Sequence, residues 1–324
     1  MAEHIFEFAI LGAGALGSIV GAHLARSGHN VVMLSRGKRA QSIIDTGLRI
    51  KGLSEFSQRV SVLTDLSSFR GADVLIVATK TYDTKAALEP IRRATIGAAL
   101  SIQNGVMKNG ELHAVWGREH VLGALADTSG ELLPTGEALF TRNAKLYIGE
   151  LDGGVSTRAK NIAETIDRAG INASAVSDIE SLEWSKFTGW VGMMVLSLTT
   201  RTMTWKYLVD PDAALVLTRI VREVGTLASA CKIPLSDRSP LPVATILTSS
   251  DEESIAIIQD LGRKLKLTAP EHRMSSLQDL QAGRPLEIEE TLGHAVHSAI
   301  ELNLSVPLLR SFYLLVASIS RIRG

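Results

Sequence analysis

Residues 8–17 read FAILGAGALG, an apolar stretch that runs directly into a glycine-rich turn. The turn places Gly12, Gly14 and Gly17 in the spacing GxGxxG, between a predicted strand and a predicted helix. In such a turn the first glycine allows the sharp bend, the second lets backbone amides approach a pyrophosphate, and the third lets helix pack on strand. The positive end of the helix dipole then faces the phosphates. An ordinary glycine-rich turn is the alternative, but the apolar flanks favour a dinucleotide site.

The strand after this helix bears on which dinucleotide binds. Residues 29–34 form a short apolar strand, and an NAD site usually ends this strand with an acid that holds the ribose 2′-hydroxyl. Here the strand is followed by Ser35, Arg36, Lys38 and Arg39 instead. A hydroxyl and three cations suit a 2′-phosphate, so the sequence predicts NADPH, with Ser35 and Arg36 as its contacts. A solvated basic loop is the alternative.

The composition is that of a soluble enzyme of two domains. The chain has 324 residues, of which 45% are hydrophobic and 21% charged, and its formal net charge is zero. Neither nucleic acid nor an anionic membrane is therefore a predicted partner. Cys231 is the single cysteine and the eight histidines show no ligand spacing, which argues against disulfides and against a metal site. No signal-like segment precedes the first strand and the apolar stretch 187–198 is too short to span a bilayer, so we predict a cytoplasmic protein.

Strand and helix patterns alternate in the first half of the chain and give way to helices in the second. The apolar strands predict a doubly wound parallel sheet of the Rossmann type, with an antiparallel extension over 130–151. From residue 178 onward only helical periods remain. We therefore expect an α/β domain over 1–177 and an all-helical domain over 178–324, with the substrate between them. The predicted helices of the second domain cover 179–200, 210–231, 239–247, 250–264, 287–303 and 306–322.

Lys186 is the most unusual charge in the chain, because no other cation occurs between Arg168 and Arg201. On a helix its neighbours one turn away are Leu182 and Trp190, which form an apolar face. A lysine in this position either extends to the surface or is held in a cleft, where burial would lower its pKa toward that of a general acid.

Four further polar residues occupy positions that suggest a site. Asn104 and Lys80 follow neighbouring strands at the carboxyl edge of the sheet, where ligands bind. Glu287 follows Pro285, which suits a first helical position, so on spacing alone Glu287 is a first-turn acid that complements the dipole. Ser275 is, on the same grounds, a helix cap.

These motifs together resemble the ketopantoate reductase (2-dehydropantoate 2-reductase) family over nearly the whole chain. The resemblance implies a Rossmann domain followed by a helical domain, and NADPH-dependent reduction of a 2-oxo acid to the 2-hydroxy acid. The segments that carry it are GAGALG at 12–17, ATKTYDT at 78–84, QNG at 103–105, WSK at 184–186 and SSLQDLQAGRPLEIEETLG at 275–293.

The resemblance also implies roles for individual residues. Lys186 matches the catalytic lysine, which binds the substrate carbonyl and gives it a proton. Glu287 matches the acid that holds the hydroxyl end of the substrate, and Ser275 the serine at its carboxylate. Asn104 and Lys80 match residues beside the nicotinamide and the substrate. The predicted cofactor contacts are then Gly12, Gly14, Ala15, Leu16, Gly17, Ser35, Arg36, Lys80 and Asn104.

The chain departs from the family pattern in the predicted substrate pocket. Where the family carries three asparagines, this sequence has Trp190, Met194 and Thr204. An indole cannot replace an amide without changing what fits, so the substrate is 2-dehydropantoate or a bulkier, more apolar analogue. Two alternatives stay open: an opine- or imine-type dehydrogenase on the same plan, and an NADPH-binding sensor without catalysis. The apolar helical faces are compatible with a homodimer, which no sequence feature decides.

Overall fold

The computed structural model describes residues 6–323 of the chain. The chain divides into two compact units, the first ending at Glu180 and the second beginning at Ser181. Across the described residues, no helix combines the length and apolar character needed to cross a membrane.

The first unit is an α/β domain of ten strands and five α-helices. Its strands are β1 Phe6–Leu11, β2 Val31–Leu34, β3 Leu48–Gly52, β4 Phe56–Gln58, β5 Ser61–Leu63, β6 Gly71–Val77, β7 Thr95–Ser101, β8 Val121–Leu132, β9 Ala138–Glu150 and β10 Ala173–Ala175. Its helices are α1 Ala15–Arg26, α2 Gly37–Thr46, α3 Thr84–Leu88, α4 Lys108–Trp116 and α5 Thr157–Arg168, with short 3-10 turns at Leu66–Ser68, Thr81–Asp83, Glu89–Ile91 and Arg118–His120.

All ten strands belong to one sheet, in the order β4-β3-β9-β8-β7-β6-β1-β2-β5, with β10 paired to β9. The pairs from β8 through β7, β6, β1 and β2 to β5 are parallel. Since the chain proceeds from β1 to one side through β2 and then to the other through β6, the strand order reverses between β1 and β6. Ligands bind at such a reversal. The antiparallel pair β8 and β9 forms the predicted extension, so the predicted fold class is confirmed.

Both faces of the parallel strands are buried. Along β1, Phe8 and Ile10 belong to one hydrophobic cluster, while Ala9 and Leu11 belong to another on the opposite face. Successive side chains of a strand point to opposite faces, so a strand covered on both sides reads as a continuous apolar run. This is why the central strands are evident in the sequence.

The outer strands differ from the prediction. Within the extension the sequence indicates two short strands, over 137–140 and 145–148, but β9 is one strand of 13 residues. Its pairing with β8 shifts register after Asp127 and again after Ser129. These irregularities break the alternation of apolar and polar residues that identifies a strand. Strands β3 and β4 were not predicted, because in β3 only Leu48 and Ile50 are buried and the rest is polar or glycine.

The second unit consists of helices. They are α6 Ile179–Thr200, α7 Thr204–Val209, α8 Pro211–Ala230, α9 Val243–Thr248, α10 Asp251–Thr268, α11 Ser275–Gln281, α12 His294–Glu301 and α13 Pro307–Arg323, with a π-helical turn at Glu289–Gly293 before α12. A core of leucine, isoleucine and valine side chains packs α7, α8, α9 and α10 together. Helix α10 begins with a capping box, in which Ser250 and Glu253 each bond the other's backbone amide.

The segment before α12 corrects one prediction. Pro285 and Glu287 precede the first helical turn rather than belonging to it, because the helix begins at Glu289. The turn is π-helical, with the amide of Gly293 donating to the carbonyl of Ile288 at 2.8 Å. The apolar period that starts at Ile288 therefore includes a residue outside the helix. Periodicity alone does not locate such a boundary.

Candidate active site

The three glycines of the turn have different surroundings. Gly12 has φ +103°, and a Cβ built there would lie 2.7 Å from the amide nitrogen of Thr79. A Cβ on Gly17 would lie 2.0 Å from the carbonyl oxygen of Gly12. A Cβ on Gly14 would meet only the carbonyl oxygen of Ala78, at 4.0 Å. Two glycines are thus required by the protein's own packing, whereas the third leaves open space beside the backbone.

That open space lies at the N-terminus of α1. Gly14 is the N-cap and supplies no side-chain acceptor, and the first turn contains no acidic residue. The first helical bond runs from the amide of Ser18 to the carbonyl of Gly14 at 3.0 Å, so the amides of Ala15, Leu16 and Gly17 come before it. Such amides, with the dipole behind them, suit a phosphate. The residues present therefore fit the pyrophosphate of a dinucleotide.

The cations of the basic segment after β2 differ in their surroundings, because two are exposed and one is bonded to the glycine turn. Ser35 is buried, while Arg36 is exposed at the N-cap of α2 and no side chain caps that helix. Lys38 is also exposed. The side chain of Arg39 instead reaches the glycine turn, where Nε donates to the carbonyl oxygen of Ala13 at 2.8 Å. Arg36 is therefore exposed at a helix N-terminus, whereas Arg39 is engaged at the glycine turn.

Lys80 and Asn104 lie on the loops that follow β6 and β7, and one buried side chain joins these loops. Nε2 of Gln103 donates to the carbonyl oxygen of Thr79 at 2.9 Å and to Oγ1 of Thr84 at 2.8 Å. Lys80 and Asn104 are each adjacent in sequence to a residue of this network. The network therefore holds the two predicted site residues on one edge of the sheet, as their positions after neighbouring strands predict.

A buried lysine, Lys108, connects the loop after β7 to strand β8. The ammonium of Lys108 donates to the carbonyl oxygen of Gln103 at 3.2 Å and to that of Ala124. Sequence reasoning missed both Gln103 and Lys108 as determinants of the site. Gln103 was detectable as a polar residue just after an apolar strand, but nothing in the sequence indicates that Lys108 is buried.

In the second unit, Lys186 lies in the predicted helix, here α6. Its side chain is half-buried, and the residues one turn away on either side, Leu182 and Trp190, are 0% and 7% exposed. Glu183, one turn earlier, is buried as well. Lys186 is thus an ammonium held at the margin of an apolar helical face, where lysines are uncommon.

Thr204, at the start of α7, is linked to a residue that sequence reasoning missed. Its amide donates to the carbonyl oxygen of His272 at 2.9 Å, and its Oγ1 shares a hydrogen bond of 2.9 Å with Nδ1 of the same histidine. His272 stands three residues before Ser275. Burial raises the pKa of Tyr207, one turn beyond Thr204, so this hydroxyl stays protonated. The start of α7 and the segment before α11, which are distant in sequence, are therefore in contact.

Ser275 and Glu287 lie at either end of the segment that contains α11. Ser275 is the first residue of α11 and is half-buried; the N-cap is Met274, so interpreting Ser275 as a cap is wrong. Glu287 is 9% exposed, in the irregular stretch before the π turn, and Oγ1 of Thr291 donates to its carbonyl oxygen. Ser275 is thus half-buried and Glu287 is largely buried.

Comparison with known proteins identifies the family. The model described as "Ketopantoate reductase PanE/ApbA" matches residues 8–153, and the one described as "Ketopantoate reductase PanE/ApbA C terminal" matches residues 178–320. A 2-dehydropantoate 2-reductase of Archaeoglobus fulgidus is 30% identical over 310 residues, which are 96% of this chain and 96% of that protein.

Known structures with the same fold include two of interest here. A ketopantoate reductase of this family from Ralstonia eutropha JMP134 has a TM-score of 0.82 and 25% identity, covering 98% of this chain and 99% of its own. A D-mandelate dehydrogenase in a ternary structure with NADH and anilino(oxo)acetate has a TM-score of 0.85 and 20% identity, covering 98% and 99%. At this identity the second likeness concerns the fold alone.

The fold and the sequence relationships together define a class of protein, a nicotinamide-dependent oxidoreductase that acts on a CH–OH group. Within that class the chain belongs to the ketopantoate reductase family, as its motifs predict.

Proposed function

We propose that this protein reduces a 2-oxo acid to the 2-hydroxy acid with NADPH, the substrate being 2-dehydropantoate or a bulkier, more apolar analogue. In this proposal residues 1–177 bind the cofactor and residues 178–324 supply the substrate-binding and catalytic groups. The observation that carries it is the half-buried Lys186 on an apolar face of α6 in a chain of this family.

A bound NADPH would supply the hydride, and the protein would manage the charge that hydride transfer creates. As the ketone oxygen becomes an alkoxide, the ammonium of Lys186 stabilises the negative charge and donates the proton. Glu287 would accept a hydrogen bond from the hydroxyl end of the substrate, and Ser275 would donate one to its carboxylate. Lys80 and Asn104 would lie beside the nicotinamide and the substrate.

The preference for NADPH over NADH rests on the segment after β2. Ser35 and Arg36 stand where an NAD site carries an acid, and Arg36 occupies the N-cap position of α2, where no side chain bonds the free helix amides. A guanidinium beside a helix N-terminus suits the dianionic 2′-phosphate. The D-mandelate dehydrogenase with NADH has the same fold, so the fold alone does not select the cofactor.

The proposal of a bulkier, more apolar substrate rests on the residues that replace the family's asparagines. Trp190 and Met194 are buried in α6, and neither offers an oxygen acceptor to a substrate hydroxyl. A pocket without those amides no longer favours substrates that have polar side chains.

A panel of 2-oxo acids with side chains of graded size tests this proposal. Oxidation of NADPH and of NADH is measured with each acid, with and without ammonia or an amine. We expect turnover without amine, a higher kcat/KM with NADPH, and a preference for apolar side chains. Turnover only with amine would support the opine- or imine-type alternative, and NADPH binding without turnover on any acid would support the sensor.

We also propose that the protein is a homodimer. A ketopantoate reductase from Staphylococcus aureus with the same fold is described as dimeric. In this chain Ile300, Leu302, Leu314 and Leu315, on or beside α12 and α13, are exposed large apolar side chains. Sedimentation analysis of the wild type and of Leu314→Ser tests this, since a monomeric wild type would contradict it.

A further inference from the structure

Arg39 uses all three nitrogens of its guanidinium at the glycine turn. Nε donates to the carbonyl oxygen of Ala13 at 2.8 Å, Nη1 to the carbonyl oxygen of Gly136 at 2.7 Å, and Nη2 to Oγ of Ser18 at 2.8 Å. Ala13 lies inside the GxGxxG turn and Ser18 lies in the first turns of α1. A single side chain from α2 therefore joins the turn, the helix that follows it, and the loop between β8 and β9.

The carbonyl of Ala13 determines where the next amide points. A trans peptide is planar, so its C=O and N–H point in opposite directions, and no cis peptide occurs in residues 6–323. Oγ of Ser18, which is fully buried, also donates to this carbonyl at 3.2 Å. With the Ala13 carbonyl held by two donors on one side, the amide of Gly14 is turned to the other. A Cβ built on Gly14 would meet only the carbonyl oxygen of Ala78, at 4.0 Å, so space is open beside this residue.

The guanidinium is itself held at its far end. Thr135, which precedes Gly136, accepts a hydrogen bond from Arg49 through its carbonyl and donates to Glu137 at 2.7 Å through its hydroxyl. The hydrogen bond from Thr135, followed by the hydrogen bond and charge of Lys51 and the charge of Arg49, both in β3, holds the pKa of Glu137 below its ordinary value. The loop between β8 and β9 is therefore a fixed support for Arg39, and a side chain fixed at both ends positions its partners well.

The charge of Arg39 is not paired with an acid. Within residues 6–323 its acceptors are two carbonyl oxygens and one hydroxyl, none of them a carboxylate. Burial and the nearby Arg49 lower the pKa of Arg39, although a guanidinium stays charged at neutral pH. A positive charge therefore lies directly behind a turn whose amides suit a phosphate.

We propose that Arg39 is a positioning residue for the pyrophosphate-binding turn, acting through Ala13 and Ser18, and that it does not select between NADPH and NADH. This inference rests on the proposed cofactor binding and divides the basic segment into two functions. Arg36 would recognise the 2′-phosphate, which only NADPH carries, whereas Arg39 would orient amides for the pyrophosphate, which both cofactors carry.

The test measures the Kd of NADPH and of NADH for the full chain by fluorescence titration. For Arg39→Met we expect both Kd values to rise about 10- to 50-fold with their ratio unchanged, since bonds to a charged donor are lost. Arg39→Lys keeps the positive charge but not the planar guanidinium with its several donors, so we expect a smaller rise in Kd for both cofactors than in Arg39→Met. Arg36→Ala should weaken NADPH alone. Arg168→Met, which removes an exposed arginine paired with Glu164, is the control for losing one charge.

Amide hydrogen exchange of the cofactor-free protein gives a second readout. We expect faster exchange in peptides covering residues 12–18 for Arg39→Met and no change there for Arg168→Met. A fall in NADPH affinity alone on Arg39→Met would make Arg39 a 2′-phosphate ligand and overturn the inference. Unchanged affinities and unchanged exchange would overturn it too. A wild type that binds neither cofactor would refute the proposed function itself, whatever the variants do.

Discussion

The glycine turn of the first unit and the Lys186 face of the second are built by opposite means. At the turn, backbone amides and carbonyls form the site, and Gly12 and Gly17 are required because a Cβ would overlap neighbouring backbone. On α6, side chains form the proposed site, with Lys186 between Leu182 and Trp190 on one helical face. A backbone site depends on residues without side chains, whereas a side-chain site can be remodelled by single substitutions.

This difference accounts for where the chain departs from its family. The GxGxxG spacing is intact, while the predicted pocket carries Trp190, Met194 and Thr204 in place of amides. Any dinucleotide presents the same pyrophosphate, so the turn serves many enzymes unchanged. Substrates differ in their side chains, so specificity changes where side chains meet them.

The largest expected effect is on the side-chain site. Lys186→Ala should lower kcat about 10³-fold and leave the Kd of NADPH unchanged, because the ammonium acts on charge that develops only during the reaction. Steady-state kinetics and cofactor titration measure the two quantities. Lys264→Ala, which removes an exposed lysine paired with Asp260 at 2.7 Å, is the control. Normal turnover of Lys186→Ala would remove the proposed general acid.

Alanine substitutions in the turn test whether the backbone site has two kinds of glycine. Gly17→Ala places a Cβ 2.0 Å from the carbonyl of Gly12 and should cost about 3 kcal/mol of folding free energy. Gly14→Ala should change stability by less than about 1 kcal/mol, yet weaken NADPH binding at least about tenfold by filling the open space. Urea titration and cofactor titration distinguish them. Gly110→Ala, in α4 with open space around it, is the matched control. Equal stability losses at positions 14 and 17 would contradict the division.

A substitution in the pocket should redirect specificity more than it affects cofactor binding. Trp190→Asn restores an amide, and we expect the kcat/KM ratio of polar to bulky apolar 2-oxo acids to rise about 10- to 100-fold. Trp190→Phe, which keeps an apolar ring, should not raise that ratio and reports the cost of altered packing alone. Trp205→Asn is the control for losing an indole from the same unit. An unchanged ratio in Trp190→Asn would place the indole outside the substrate pocket.

The smallest expected effect is a pH dependence of stability in the first unit. Burial lowers the pKa of His23 below its ordinary 6.5, and its ring bonds the carbonyl oxygen of Ala169 at 2.9 Å and Oγ of Ser54 at 3.0 Å. As the pH falls below 6.5, His23 is protonated in the unfolded chain before it is protonated in the folded protein. The contribution of His23 to folding stability is therefore fully present above pH 6.5 and is lost as the pH falls through the folded pKa.

Replacing this histidine should therefore flatten the acid side of the stability profile. His23→Gln should be less stable than the wild type at pH 7.5 and should lose about 1 kcal/mol less between pH 7 and pH 5.5. Urea unfolding at each pH gives the two slopes. Burial lowers the pKa of His294 as well, so part of the slope should remain. An identical slope in the variant would mean that His23 titrates alike in both states.

Much of the fold was predictable because its elements repeat a simple period. The parallel strands are continuous apolar runs, and α6 and α8 follow the predicted ranges within one residue. The elements that sequence reasoning missed are short or polar, namely β3, β4, α7 and α11. Their positions depend on neighbours elsewhere in the chain, as Ile50 of β3 depends on its pairing with β9.

The residues of the candidate site also differ in whether a local sequence pattern identifies them. Gly12 and Gly17 are identified by spacing, because GxGxxG is a short local pattern. The backbone that excludes a Cβ at Gly12 nevertheless belongs to Ala78 and Thr79, far away in sequence. Arg39, Lys108 and His272 have no such local signal, because each side chain has a partner 16 or more residues away in sequence.

The sequence by itself determined the family, the alternation of strand and helix, and the glycine turn, because these depend on local period and on spacing within about twenty residues. The tertiary structure alone decided which cation of the basic segment faces outward and which supports the turn. Arg36 and Arg39 are three residues apart and equally charged, yet one is exposed at a helix N-terminus while the other bonds the turn and a distant loop. A guanidinium takes its role from the acceptors around it, and those acceptors are brought together only when the chain folds.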